Sequence, residues 1–212
     1  HYDFSNKYLC DVTLRRDGSS RFGKDNRYGY FPSVGVAWRI TEEDFMAGTK
    51  KWLDYFKIRT SWGQSGNDQI GNYNGFTTMG TSMAYSYYPI TGSNSLPSVG
   101  FQSVAFGNTD AKWERTISKT IGIEGSLFNH IELTLDIWRR DTKDMLYPVG
   151  IPAVVGNANV PSVNIGDMKN SGIDLQLDYH GNGNNKDLSY NINLNISHYQ
   201  NEIVKISNKA NE

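Results

Sequence analysis

The chain has 212 residues, and its 21 basic and 22 acidic side chains leave a formal charge of −1. That balance gives no electrostatic reason to expect a nucleic-acid partner, and no stretch approaches the ~18 consecutive apolar residues of a membrane helix. The single Cys10 excludes an internal disulfide framework, and the four scattered His residues show no ligand spacing, so neither a metal site nor a cofactor is expected.

Alternation of apolar and polar residues with a period of two predicts seven long strands in chain order. In the first, Tyr8, Cys10, Val12 and Leu14 oppose Leu9, Asp11, Thr13 and Arg15. A polar loop from Arg16 to Tyr28 follows. The second strand sets Tyr28, Tyr30, Val34, Val36, Trp38 and Ile40 against Gly29, Phe31, Ser33, Gly35, Ala37 and Arg39. After a return with a helical turn at Glu42 to Met46, the third places Phe56, Ile58, Thr60 and Trp62 against Lys57, Arg59, Ser61 and Gly63. A very long connection spans Gln64 to Ala111.

The fourth strand starts at Trp113, with Ile117, Ile121, Ile123 and Leu127 on one face and Thr116, Ser118, Thr120, Glu124 and Ser126 on the other. A tight turn near Asn129 and His130 leads to the fifth, where Leu133, Leu135 and Ile137 oppose Glu132, Thr134 and Asp136. Asp144 to Gly166 reads as another long loop. The sixth strand sets Ile173, Leu175, Leu177 and Tyr179 against Asp174, Gln176 and Asp178, and Gly181 to Asp187 is a turn. The seventh, Tyr190 to Ser197, alternates Tyr, Ile, Leu and Ile with Asn, Asn, Asn and Ser. Leu9, Phe31 and Lys119 break the pattern.

A strand with an oily face and an uncharged amide face separates an apolar medium from a polar, enclosed one. Long and short connections alternate, which puts every long loop at one end of an antiparallel meander. A span of ~11 residues at ~3.3 Å rise and ~45° tilt covers the ~25 Å apolar band of an outer membrane. Aromatic residues cluster near both ends of the apolar face: Tyr28, Tyr30, Trp62 and Trp113 on the long-loop side, and Trp38, Phe56, Tyr179 and Tyr190 on the short-turn side. That distribution matches two interfacial girdles. The expected fold is an all-β, antiparallel, up-and-down transmembrane β-barrel segment. A soluble β-sandwich binding module or adhesin is the alternative, and a passive porin is a second.

The phrases RRDGSSRFG (15–23), GYFPSVGVAWRITEE (29–43), KIRTSWGQSGN (57–67), WERTISKTIGIEG (113–125), RRDTKDMLYPVGIP (139–152) and NIGDMKNSGIDLQL (164–177) occur in one order. Together they resemble the barrel of the SusC/RagA-type TonB-dependent outer-membrane transporters of Bacteroidetes. The resemblance implies a 22-stranded barrel around an N-terminal plug, a SusD-like surface lipoprotein partner, a TonB complex acting through the N-terminal region, and import of glycans or peptides. It implies no enzyme activity. Residues 1–212 are accordingly expected to be part of a barrel domain embedded in outer-membrane lipid, with the plug and the remaining N- and C-terminal parts lying elsewhere in a longer chain.

Four residues of the long connection, Tyr85, Tyr87, Tyr88 and Phe101, are the candidates for contact with ligand or partner. Exposed aromatic rings stack on sugar faces or pack peptide side chains; the plainer reading is that they pack the loop itself. The charge cluster Arg15, Arg16, Asp17, Arg21, Lys24, Asp25 and Arg27 reads as a largely self-neutralising loop, although it could also meet anionic lipid or the lipoprotein. Glu132, Asp136, Asp174 and Asp178 share the polar face. They read as hydrated lumen lining paired with Lys57, Arg59 and Arg140 rather than as an acid–base pair. Trp138 falls on the same face.

Overall fold

The computed structural model describes residues 1–90, 92, 97–150, 152, 154, 156, 158–182 and 188–206. Among these residues ten strands form: β1 (Tyr2–Phe4), β2 (Tyr8–Gly18), β3 (Tyr28–Arg39), β4 (Leu53–Asn67), β5 (Thr78–Gly80), β6 (Gln102–Ala105), β7 (Glu114–Leu127), β8 (Ile131–Pro148), β9 (Ser162–Asn182) and β10 (Ser189–Ile206). Eight of them make one sheet in the order β1-β2-β3-β4-β7-β8-β9-β10, and β5 pairs with β6 inside the long connection. Every neighbouring pair in the large sheet is antiparallel. All seven long strands therefore lie side by side in chain order, and the two facing sheets of a sandwich do not form among the described residues.

The register aligns the apolar residues across the whole sheet. Tyr8, Trp38, Ile58, Ile123, Leu135, Leu175 and Ile196 form one continuous row over the seven long strands. The next row toward the long loops holds Cys10, Val36, Thr60, Ile121, Ile137, Ile173 and His198. Because side chains alternate, a slip of one residue would throw each row onto the polar face. No member of either row is buried. Val12 and Leu14 are each 70% exposed, and Ile121 is 60% exposed. Among the described residues only Phe22, Phe31, Leu53, Ile70, Ala111 and Ala158 are buried apolar side chains. A sheet of this size with so small a core is not a self-sufficient soluble fold.

The short connections are tight turns. Ser5 and Asn6 take φ of 54° and 55° between β1 and β2, and Phe128 and Asn129 take 56° each between β7 and β8. Two consecutive left-handed residues make the hairpin turn whose twist matches the flanking strands. The β7–β8 turn is thus centred on Phe128 and Asn129, one residue earlier than the pattern indicates, and His130 N–H closes it on Leu127 O at 3.0 Å. The return between β3 and β4 contains two short 3-10 turns, Ile40–Glu42 and Asp44–Thr49, rather than one helical turn.

Five other boundaries differ from the sequence reading. Strand β2 continues through Gly18, and β4 continues to Asn67. Strand β8 runs on to Pro148 and β9 begins at Ser162, so both ends of the expected loop at Asp144 to Gly166 are strand. Pairing persists there across register shifts between Thr142 and Met145 and between Met145 and Leu146, which interrupt the period of two. Gly181 and Asn182 belong to β9, and residues 183–187 of the expected turn lie outside the described residues.

Candidate functional site

The polar face carries an ion network across three strands. Lys57 Nζ lies 2.6 Å from Glu124 Oε2, and Arg59 Nε lies 2.7 Å from Glu124 Oε1. Arg59 also donates from Nη2 to Asp136 Oδ2 at 2.7 Å. Arg59 is on β4 and Asp136 on β8; between them, on β7, the register places Gly122. A Cβ at Gly122 would overlap Asp136 Oδ1 and crowd the Arg59 guanidinium, so the missing side chain opens the path for the bridge. Gly172 does the same for Trp138, whose ring would meet a Cβ there at 2.7 Å. The Trp138 indole N–H donates to Asp174 Oδ2 at 2.6 Å.

The expected lumen carboxylates are therefore divided among different partners. Asp136 pairs with Arg59 as anticipated, but Lys57 pairs with Glu124, and Arg140 stacks 5.2 Å over Trp138 instead of reaching a carboxylate. Asp178 accepts from Gln176 at 2.7 Å and from Asn193, and Glu132 faces His180 at 3.8 Å. Asp136 lies opposite Asp174, and Glu132 opposite Asp178. Asp136, Asp174 and Asp178 are nonetheless each held by their own donors, which is the arrangement of a wall lining.

At the long-loop end the connections are stitched together by amides that the periodicity argument does not single out. Asn74 Oδ1 accepts from Ser162 N at 2.9 Å, and Asn108 Nδ2 donates to Ser162 O at 3.0 Å. Asn164 donates to Lys112 O and Asp144 O at 2.9 and 2.7 Å, and accepts from Lys112 N at 2.9 Å. A cleft of about 490 Å³ opens beside them, lined by Asn108, Asp110, Lys112, Pro161 and Asn164 among others. Their only sequence signal is a set of Asn residues in loops too long to lack packing of their own.

The aromatic candidates sit on this same end but do not form one cluster. Tyr85 is 71% exposed, Phe101 70% and Tyr88 52%, while Tyr87 is half-buried. Tyr88 exchanges backbone hydrogen bonds with Ser98 at 3.2 and 2.9 Å. Among the described residues no two of the four rings stack on each other.

Trp113 does not join the apolar-face girdle. Its ring packs 5.2 Å from Phe22 and 5.5 Å from Phe31, and its N–H donates to Arg27 O at 3.3 Å. It precedes the first residue of β7, where strand parity no longer governs it. Phe31, an exception to the alternation, thereby gains its partner and is 3% exposed. The neighbouring charge cluster is partly self-neutralised: Arg15 bonds Asp17 at 2.8 Å, Arg21 lies 3.8 Å from Asp68, and Arg16 stacks 4.2 Å over Tyr28.

At the opposite end, Glu43 ties the short-turn girdle to the wall. It accepts from Tyr8 Oη at 2.7 Å, Trp38 Nε1 at 3.1 Å and Lys7 Nζ at 3.1 Å. The Tyr8 hydrogen bond, with those of Trp38 and Lys7 behind it, holds the Glu43 carboxyl below its ordinary value.

A family model described as TonB dependent receptor-like, beta-barrel matches residues 1–211. The chain belongs to this family. Among its relatives, the TonB-dependent receptor SusC of Bacteroides thetaiotaomicron is 34% identical over 98% of the chain and 20% of SusC. TonB-dependent receptor P39 of Formosa agariphila is 32% identical over 98% of the chain and 19% of its own length. The chain superimposes on the RagAB peptide importer in its closed-closed state with a TM-score of 0.84, at 30% identity, covering 96% of the chain and 21% of that structure. The segment is thus of the SusC/RagA type and is part of a bacterial outer-membrane β-barrel. It spans about a fifth of the length of the relatives it matches.

Proposed function

We propose that this chain is a wall segment of an active outer-membrane transporter that imports glycans or peptides, with a SusD-like lipoprotein over the long-loop end and energy supplied by a TonB complex. The observation that carries the reading is the seven-strand apolar row, exposed on one face of a sheet whose other face is charged and amide-rich. Its likeness to SusC and to the RagAB peptide importer supports nutrient import over passive flow. The plug and energy-coupling parts are assigned to regions outside these residues, and no enzymatic chemistry is assigned to the wall.

Within this reading, Tyr85, Tyr87, Tyr88 and Phe101 contact substrate or lipoprotein, because loops carry recognition on a rigid scaffold. Changing Tyr85, Tyr87 and Tyr88 to Ala in the full-length transporter leaves membrane insertion intact and weakens substrate retention or lipoprotein binding by roughly 1–3 kcal/mol if one or two rings are buried anchors. Surface expression, lipoprotein pull-down and growth on candidate glycans or peptides read this out. Normal binding and growth would reduce the rings to loop packing, and loss of insertion would make them structural.

A further inference from the structure

Lys119 breaks the apolar alternation of β7 at a position that is informative once the register is known. It lies directly opposite Arg139 of β8 and opposite Trp62 of β4, in one lipid-facing row. Immediately below, toward the short turns, Ile121 and Ile137 face each other and are 60% and 55% exposed. On β8 the outward sequence Ile131, Leu133, Leu135, Ile137 ends at Arg139, and on β7 the run from Leu127 through Ile121 is interrupted by Lys119 before Ile117. A Trp and two cations in one row, above two strands' worth of aliphatic surface, mark where hydrocarbon gives way to headgroups.

Two cations directly opposite each other in a ladder repel. Arg139 is relieved by Asp141, which its Nε approaches at 2.9 and 3.1 Å. The other cations nearby are also paired: Arg115 with Asp144, Lys143 with Asp167, and Lys169 with Glu202. Lys119 is exposed and makes no ion pair among the described residues. Asp141, buried against Arg139, makes no ion pair with Lys119 among the described residues.

We propose that Lys119, with Arg139 across the ladder and Trp62 beside it, holds the phosphate of a phosphorylated lipid of the outer leaflet, whose acyl chains lie on Ile121 and Ile137. The phosphate supplies the anion missing from this row, and the indole N–H sits at the level of the glycolipid headgroup. The proposal rests on the outer-membrane reading but not on transport.

The test uses the full-length transporter in nanodiscs containing either monophosphoryl lipid A or the same lipid dephosphorylated, with bound lipid counted by native mass spectrometry. The variants are Lys119→Gln, Lys119→Arg and, as a control at the short-turn end, Lys50→Gln. Wild type retains the phosphorylated lipid preferentially. Lys119→Gln weakens that retention about fivefold, the share of one surface cation; Lys119→Arg and Lys50→Gln leave it unchanged. Added inorganic phosphate does not displace the lipid. Equal retention of both lipids by wild type, or a Lys119→Gln variant indistinguishable from Lys50→Gln, would overturn the proposal. Displacement by inorganic phosphate would show a free-anion site and overturn the lipid assignment. Uptake assayed in cells separates these results from any failure of the transport reading.

Discussion

Arg59 and Asp136 meet at 2.7 Å across an intervening strand, over a residue with no side chain. Their side chains are 32% and 22% exposed, so the pair is only partly screened. The bridge locks β4, β7 and β8 into one register on the lumen face, complementing the apolar row on the other.

Gly122→Ala should disturb this bridge by steric overlap. We expect a loss of about 1–3 kcal/mol in refolding stability, the usual cost of crowding a packed site. Gly48→Ala, where a new Cβ meets nothing within 4 Å, should be close to neutral. Urea refolding into detergent or lipid, followed by the heat-dependent gel shift of folded barrels, compares the two.

Phe31→Ala should be more damaging. Phe31 is 3% exposed against Trp113 at the long-loop end. Removing such a ring typically costs about 3–5 kcal/mol. The same refolding assay should show the larger loss, and surface digestion should show earlier cleavage of the loop around Phe22.

The Glu43 node predicts a pH dependence. Its carboxyl is held below the ordinary value by Tyr8, Trp38 and Lys7. A group with a depressed folded value stabilises above its unfolded pKa, and that contribution is lost as pH falls through the folded one. Thermal stability should therefore decline on acidification below the ordinary carboxylate range, and Glu43→Gln should flatten that part of the profile. An unchanged acid limb in Glu43→Gln would remove the girdle role.

The seven long strands, their chain order and their division into an apolar and a polar face were legible, because the period of two persists along them; the short β1, β5 and β6 carry too few residues to show it. Val34, Val36 and Trp38 of β3 and Ile192, Leu194 and Ile196 of β10 carried that signal. It failed where the membrane ends. Asp144 to Pro148 and Ser162 to Gly166 read as loop although they are strand, since register shifts between Thr142 and Leu146 interrupt the period of two on β8. Phe31 read as an error in the alternation because its partner, Trp113, is 82 positions away in sequence. The loop amides Asn74, Asn108 and Asn164 had no readable pattern, because their contacts are between connections distant in the chain. Lys119 was visible as an exception, but only the register places it opposite Arg139.

The central claim is that the Tyr8-to-Ile196 row faces lipid and its neighbours face the lumen. Spin labels placed singly at Leu133, Leu135, Ile192 and Leu194, and at Thr134 and Asn193, in the full-length protein in bilayers test it most directly. The first four should relax strongly with lipid-soluble oxygen, and the last two should not. High oxygen accessibility at Thr134 and Asn193 with protection at the four aliphatic positions would contradict the assignment of faces and, with it, the barrel wall.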